Sequence, residues 1–251
     1  MPNMLMISKR LASIAAYVTP GSRVADIGSD HALLPIFLVQ SGKVPSAIAG
    51  ELNAGPLEAA RKGTAAAGLS AKIQVRQGDG LAVLQPGEAD TITISGMGGS
   101  LIRTILQDGN EAGKLAGVKE LVLQPNVGEE FVRAWLLDNG WYLQDEHILE
   151  EDGKIYEVLH ARKPADAASL NDKLYGADQA RKLRLRMGPY LLGRPTDVLE
   201  RKWNQELDKL GRIIGQLSQS DLPEARAKEN ELLREMREIE EVLSCLPKDK
   251  R

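Results

Sequence analysis

The chain of 251 residues is predicted to be an α/β protein. An open, mainly parallel sheet is closed by an antiparallel β-hairpin and followed by an antiparallel helical hairpin. Three observations predict this. From Val24 to about Arg162, short apolar segments of strand length alternate with helical segments, the pattern of right-handed βαβ crossovers. Asp152-Gly153 then separates two long extended segments, a strong hairpin signal. Beyond Lys163, two charged stretches carry apolar residues at alternating intervals of 4 and 3, the spacing of a helical seam.

The elements follow in order. Ile7, Leu11, Ile14 and Val18 share one face of an opening amphipathic helix. The parallel strands are Val24–Ile27, Ala47–Leu52, Lys72–Arg76, Thr91–Ser95 and Leu121–Gln124. Ala47-Ile48-Ala49 and Thr91-Ile92-Thr93-Ile94 read as strands buried on both faces. Helices are expected at Ala32–Ser41, Pro56–Ala67, Leu101–Asp108 and Glu129–Asn139, with a short one near Leu81. Trp141–Leu149 and Lys154–Ala161 form the closing hairpin. Lys163–Ala168 reads as a linker, so a catalytic domain over residues 1–163 and a helical coiled-coil domain over 164–251 are expected. In the latter, Trp203, Leu207, Leu210, Ile214 and Leu217 face Leu232, Met236, Ile239, Leu243 and Leu246 across a turn at Ser218–Pro223. That seam can close within one chain or between two, so a monomer or weak homodimer is expected.

Composition narrows the function. A net charge of −3 gives no global basic field, so a nucleic-acid partner needs a local patch. The best candidate runs from Gln179 to Lys202, with seven Lys/Arg against two Asp/Glu. It includes Arg181, Lys182, Arg184 and Arg186, and Lys9 and Arg10 extend it as candidate RNA contacts. The single Cys245 allows no internal disulfide and fits a reducing, cytoplasmic setting. His31, His147 and His160 lack metal-ligand spacing, so no metal is expected. No apolar run reaches the roughly 18 residues of a membrane span, and no signal-peptide pattern opens the chain.

The chemistry concentrates in loops after the strands. Val24–Pro35 reads as strand, glycine turn and helix start. It resembles a dinucleotide fingerprint without its second and third glycines. Asp30 stands where the second would be and would repel a pyrophosphate. Asp26 and Asp30 around Gly28 suit a cationic or zwitterionic nucleoside, and S-adenosylmethionine is one. Glu51, roughly 20 residues beyond that turn, is placed to accept from ribose hydroxyls. In Gln77-Gly78-Asp79-Gly80, Asp79 can accept from an adenine amine or cap a helix. Three glycines within Gly96-Met97-Gly98-Gly99 suit a close approach, with Met97 offering a soft surface to a base or a methyl group, or else a tight strand-to-helix turn with Met97 in the core. Gln124-Pro125-Asn126 adds amides to the same rim. There is no Ser-His-Asp or Cys-His arrangement, Walker lysine or C-x-x-C motif.

Five parallel units closed by a hairpin is the Rossmann-like plan of class I methyltransferases. With the motifs above, the chain resembles the bacterial tRNA (adenine(22)-N(1))-methyltransferases. The matching segments are Ala25–Ala32, Ala47–Glu51, Val75–Leu81, Ile94–Ile102, Leu123–Asn126 and Leu149–Val158, with Ser8–Leu11 and Gly188-Pro189 outside them. The resemblance implies transfer of a methyl group from S-adenosylmethionine to N1 of an adenine in the D-arm region of tRNA. It also implies a C-terminal coiled coil that helps hold tRNA. Carried over by position, Asp26, Gly28, Asp30, Glu51, Asp79, Gly80 and Gly96 would line the donor site. Gly96, Met97 and Asn126 would face the base.

Neutral N1 already carries an in-plane lone pair, so alignment matters more than proton removal. A carboxylate that follows the charge gained by the adenine favours the transition state, and Asp30 is preferred for this over Asp79. Asp30, Met97 and Asn126 are therefore the candidate catalytic residues. Alternatives are a class I methyltransferase acting on another RNA or a small amine, a donor-sensing interaction protein and a dinucleotide dehydrogenase.

Overall fold

Ser8 opens the first helix, α1 (Lys9–Tyr17), by accepting a hydrogen bond from the Leu11 N–H at 3.2 Å, an N-cap bond. The computed structural model describes residues 4–220 and 222–246. Asp221, inside the expected turn at Ser218–Pro223, lies outside them.

After α1 come β1 (Val24–Ile27), α2 (Leu33–Gln40), β2 (Ala47–Glu51), α3 (Ala54–Ala66) and β3 (Ile73–Gln77). Then follow β4 (Thr91–Met97), α4 (Gly99–Glu111), β5 (Glu120–Pro125), α5 (Glu129–Asp138), β6 (Tyr142–Glu151), β7 (Lys154–Arg162) and α6 (Ala167–Tyr175). Single 3-10 turns cover Asp30–Ala32 and Gly80–Val83. The latter stands where a short helix near Leu81 was expected. The seven strands form one sheet in the order β3-β2-β1-β4-β5-β7-β6. The first five are parallel, and β7 runs antiparallel to both β5 and β6. Strand order reverses between β1 and β4, which opens a crevice beyond their carboxyl ends where ligands bind in such sheets.

Burial explains the strand sequences. β1, β2 and β5 are buried at every residue, as strands covered on both faces require. Asp152 (φ 51°) and Gly153 (φ 72°) are both left-handed, the signature of a two-residue type I′ turn whose twist matches its strands. The hairpin is anchored by charge as well. Arg133 on α5 donates through Nε to Glu146 Oε1 on β6 at 2.6 Å and through its second nitrogen to Glu157 on β7. All three side chains are fully buried. Burial pushes the guanidinium pKa down, but the two carboxylates outweigh it and raise it.

At the opposite end of the sheet Glu120 accepts from Thr19 (backbone 2.9 Å, hydroxyl 2.7 Å), Thr91 (2.8 Å), His160 (2.9 Å) and Arg162 (3.0 Å). Burial pushes this carboxyl up, but the hydrogen bonds from His160, Thr19 and Thr91 prevail and hold it at about 2.

The chain forms two compact units, one reaching Ala177 and the other beginning at Asp178. The expected linker, Lys163–Ala168, therefore runs into the start of α6, a helix of the first unit. α6 is fastened there by the Asn171 side-chain amide, which donates to Trp141 O at 2.9 Å. The second unit contains α7 (Asp178–Met187), α8 (Pro189–Gly193), α9 (Asp197–Leu217) and α10 (Pro223–Cys245). α9 and α10 pair, burying Trp203, Leu210, Leu232 and Ile239 at expected seam positions, with Leu246 buried just past the end of α10. Among the described residues, no helix is long and apolar enough to cross a membrane.

Candidate active site

The carboxyl ends of β1, β2 and β4 and the turn after β3 enclose a cavity of about 440 Å³, within the range of small-molecule sites. Four carboxylates line it, those of Asp26, Asp30, Glu51 and Asp79, against one guanidinium, that of Arg10. Gly28, Gly80, Gly96 and Met97 also line it, so every residue expected at the donor site reaches this cavity. No cluster of His, Cys, Asp or Glu able to hold a metal occurs among the described residues.

The turn after β1 is tied to β2: the Gly28 and Ser29 N–H groups both donate to Gly50 O, at 2.9 and 3.0 Å. Gly28 has φ +71°, and a Cβ built on it would lie 2.0 Å from the Met97 methyl carbon. Only glycine permits both this backbone and this contact, which lays the soft end of Met97 over the turn. The next residues are strained. His31 (φ 58°) and Ala32 (φ 54°) are left-handed without being glycine, at a cost of about 1–3 kcal/mol each. The residue types signal it only weakly, since histidine adopts this region occasionally and alanine rarely. Asp30, which lines the cavity, and His31 are both exposed, with His31 Nε2 3.3 Å from Asp30 Oδ1.

The carboxylates differ in their freedom to bind a ligand. Asp26 is buried, and both its oxygens accept from neighbours: Oδ2 from the Ser29 hydroxyl at 2.5 Å and Oδ1 from Thr93 at 2.6 Å. It forms the cavity floor and braces the turn. Burial raises its pKa to about 6, although the Ser29 and Thr93 hydrogen bonds pull the other way. Because the folded value exceeds the unfolded one, near 3.8, the stabilisation is complete below pH 4 and lost as pH rises through 6. The lost part is about 3 kcal/mol. The unfolding free energy of the wild type relative to Asp26→Asn is therefore expected to fall by about that amount between about pH 3 and 8. Denaturant titrations of both proteins across this range check it. A flat difference would contradict a buried, reluctantly ionised carboxyl.

Glu51 is buried at the end of β2. Its Oε1 accepts from the Asn53 backbone at 2.9 Å and side chain at 3.3 Å, which holds the carboxylate in one orientation toward the cavity. Asp79 precedes the 3-10 turn and makes no side-chain capping bond there, so the capping alternative is not realised.

The Gly96–Met97 loop is stitched to β5. The Asn126 side chain donates to Gly96 O at 2.8 Å, and the Asn126 N–H donates to Met97 O at 2.7 Å. Gln124 Oε1 accepts from the Gly96 N–H at 3.2 Å, and its Nε2 donates to Asn126 Oδ1 at 3.1 Å. The rim amides thus bond one another rather than standing open. Sequence reasoning placed Arg10 with the RNA contacts, but its side chain points into the cavity wall. Nη1 donates to Gln124 Oε1 at 2.7 Å, and the guanidinium lies 5.6 Å from the centre of the Tyr156 ring. Glu151 was missed as well. Its carboxylate accepts from the Lys9 and Arg10 N–H groups, binding the tip of the β6–β7 hairpin to the start of α1. The capping Ser8 was the only sequence signal for this junction.

The basic cluster lies on α7 in the second unit. There Lys182 pairs with Glu238 at 3.1 Å, and Arg186 pairs with Glu235 while lying 5.8 Å from the Trp203 ring centre. With its side chain only 21% exposed, Arg186 holds α7 against α9 and α10. Lys182, 65% exposed, forms a solvent-screened pair worth little.

Comparison with known proteins places this geometry. The tRNA (adenine(22)-N(1))-methyltransferase family model, TrmK, matches residues 24–241. The tRNA (adenine(22)-N(1))-methyltransferase of Bacillus subtilis (strain 168) is 44% identical over 242 residues, 96% of this chain and 98% of that protein. The crystal structure of the B. subtilis tRNA methyltransferase TrmK superposes with a TM-score of 0.86 at 43% identity, covering 95% of this chain and 99% of that one. Streptococcus pneumoniae Sp1610, solved in complex with S-adenosyl-L-methionine, gives a TM-score of 0.81 at 40% identity, with 95% and 100% covered. With its cavity at the strand-order reversal and its sheet closed by a hairpin, the chain belongs to the tRNA (adenine(22)-N(1))-methyltransferase family.

Proposed function

We propose that this protein transfers a methyl group from S-adenosylmethionine to N1 of adenine 22 in tRNA, in the cytoplasm. The observation that carries the reading is the cavity at the β1–β4 reversal, glycine-lined and rich in carboxylates. Its residues fit the donor. The turn at Gly28, closed by the Met97 methyl, leaves room for backbone approach but not for a side chain. Glu51 presents a fixed, buried acceptor for ribose hydroxyls. Asp79, exposed beside Gly78 and Gly80, can accept from an adenine amine. Four carboxylates suit a sulfonium and an ammonium, whereas they would repel a pyrophosphate.

When bound, S-adenosylmethionine supplies an electrophilic methyl group on a positively charged sulfur. The protein's part is alignment and exclusion of water. Met97 and the Gly96 backbone form the surface facing the incoming base, and Asn126 holds that surface in place through Gly96 O and Met97 O. The target base is expected to leave its stack to reach this crevice.

Asp30 is exposed in the free protein, so its charge acts strongly only when the RNA covers the mouth and lowers the local dielectric. There it would follow the positive charge gained by the adenine. Asp30→Asn is expected to lower kcat about tenfold with donor affinity within twofold. Single-turnover methylation and a donor-binding titration check this, and wild-type turnover would remove Asp30 from the chemistry.

For tRNA binding we assign phosphate contact to Lys9, Arg181, Lys182 and Arg184. Arg186 has the structural role described above. The reaction itself is tested by incubating unmodified tRNA with the protein and donor, then mapping methylated nucleosides by mass spectrometry. Methyl-adenine at another position, on another RNA or on a small amine would support the class I alternative. Donor binding without transfer would support a sensing role.

A further inference from the structure

We infer that Arg10 is a positioning residue that, together with the Gly96 backbone, fixes the direction of a chain of side-chain amides beneath the Gly96–Met97 loop. The inference rests on the proposed methyl transfer for its kinetic consequence, but its structural content stands on the contacts alone.

A glutamine or asparagine amide carries an acceptor at one end and a donor at the other, and the two ends are nearly equal in shape. A row of such groups can run in either direction unless something at one end can only donate or only accept. Here that end is Arg10. A guanidinium has five N–H donors and no acceptor, so the group 2.7 Å from Nη1 must be the oxygen of Gln124. The Gly96 N–H, also donor-only, meets the same oxygen at 3.2 Å and selects the same orientation.

The rest follows by elimination. With Oε1 toward Arg10, Nε2 of Gln124 turns to Asn126 and Pro125 O, where it donates at 3.1 and 2.8 Å. Asn126 must therefore present Oδ1 to Gln124, and its Nδ2 must face Gly96 O, to which it donates at 2.8 Å. Both backbone polar groups of Gly96 are thus held by this chain, and with Arg10 at its end they fix its polarity. Gly96 has φ +78° at the irregularity where the β4–β5 register shifts between Ser95 and Met97. The loop departs from the regular ladder at this point, so the side-chain amides replace strand bonds in fixing it.

Arg10 is itself fixed from two sides. Glu151 accepts from its N–H and from that of Lys9, and Tyr156 lies beneath its guanidinium. Both residues come from the β6–β7 hairpin. The closing hairpin, remote in sequence from every donor-binding motif, thereby reaches the loop that faces the base. A guanidinium beside a base that acquires positive charge would be unfavourable as a direct contact. Engagement with Gln124 and Tyr156 gives it a supporting task instead.

The test uses Arg10→Met, Arg10→Lys, Gln124→Met and the Arg10→Met/Gln124→Met double variant of the full chain. Side-chain amide resonances of Gln124 and Asn126 in 15N NMR spectra of the ligand-free protein read the chain directly. Arg10→Met should shift and broaden both pairs and speed their exchange with solvent, while Arg10→Lys should largely restore them. In single-turnover and steady-state methylation, Arg10→Met should lower kcat about tenfold or more, with tRNA KM and donor Kd within twofold. Arg10→Lys should recover most of the rate, and the double variant should cost no more than the worse single one.

Unchanged Asn126 amide signals in Arg10→Met would overturn the proposal. So would a raised tRNA KM at unchanged kcat, the mark of a direct RNA contact, or additive losses in the double variant. Thermal unfolding of each variant separates these outcomes from loss of the fold. If the wild type methylates no tRNA, the proposed function fails, while the amide spectra still decide the role of Arg10.

Discussion

Replacing Glu51 by alanine is expected to weaken S-adenosylmethionine binding about a hundredfold, the largest effect of any single donor-site substitution. Its carboxylate is buried at the strand end, and Oε1 is already held by two donors from Asn53. Little ordering remains to be done when a ribose arrives. A hydrogen bond to a charged group contributes roughly 1.5–3 kcal/mol, and a pair of ribose hydroxyls can form two. Each 1.4 kcal/mol is about a factor of ten in affinity. Glu51→Gln keeps the shape and one acceptor and should lose about tenfold. Calorimetric titration with the donor measures both, with thermal unfolding as the control for the loss of the Asn53 contacts. A Kd for Glu51→Ala within threefold of wild type would move the ribose site elsewhere.

The largest effect on stability is expected from Arg133→Met. Removing the guanidinium takes from Glu146 and Glu157 the cation they share in a fully buried site. Breaking a buried ion pair from one side costs about 3–5 kcal/mol, because the uncompensated charge remains. In the variant the two carboxyls would resist ionisation, so their folded pKa values would rise above the unfolded ones. The sign is then clear. Arg133→Met should be least impaired below the unfolded carboxylate range and lose stability as pH rises through neutrality. Arg133→Met/Glu146→Gln/Glu157→Gln should recover a large part of the loss at pH 7, since no charge is left to desolvate. Urea unfolding at pH 4 and pH 7 distinguishes these cases. A neutral outcome for the single variant would show that the hairpin does not depend on the triad.

Much of the site was legible because its signals are local. Asp26, Gly28, Glu51, Asp79 and the Gly96–Gly99 run each sit at a strand's carboxyl end, and strand-end loops converge on the order reversal of a parallel sheet. Asp152-Gly153 was equally plain, because a type I′ turn demands two left-handed residues. The left-handed His31 and Ala32 were not legible, since even histidine adopts that conformation only occasionally, alanine rarely, and the surrounding fold imposes it. The polar environment of Asp26 was hidden for a similar reason: Thr93, 67 positions away, reaches it only across the β1–β4 ladder.

Charges were the hardest to place. Arg10 and Arg186 look alike in sequence, as members of basic runs. One closes the wall of the cavity against Gln124, and the other packs on Trp203 and pairs with Glu235. Glu146 and Glu157 read as polar residues in strands until the hairpin folds them onto Arg133.

The sequence alone determined the strand–helix alternation, the closing hairpin, the paired C-terminal helices and the acidic, glycine-rich loops at the strand ends. These depend on periodicity and on backbone conformations that individual residue types favour or forbid. Only the tertiary structure decided which carboxylates remain open to a ligand, which cations are already paired and how Arg10 orders the amides beneath Met97. Those properties depend on partners brought together from distant positions, and a side chain's role is set by what it meets across the sheet.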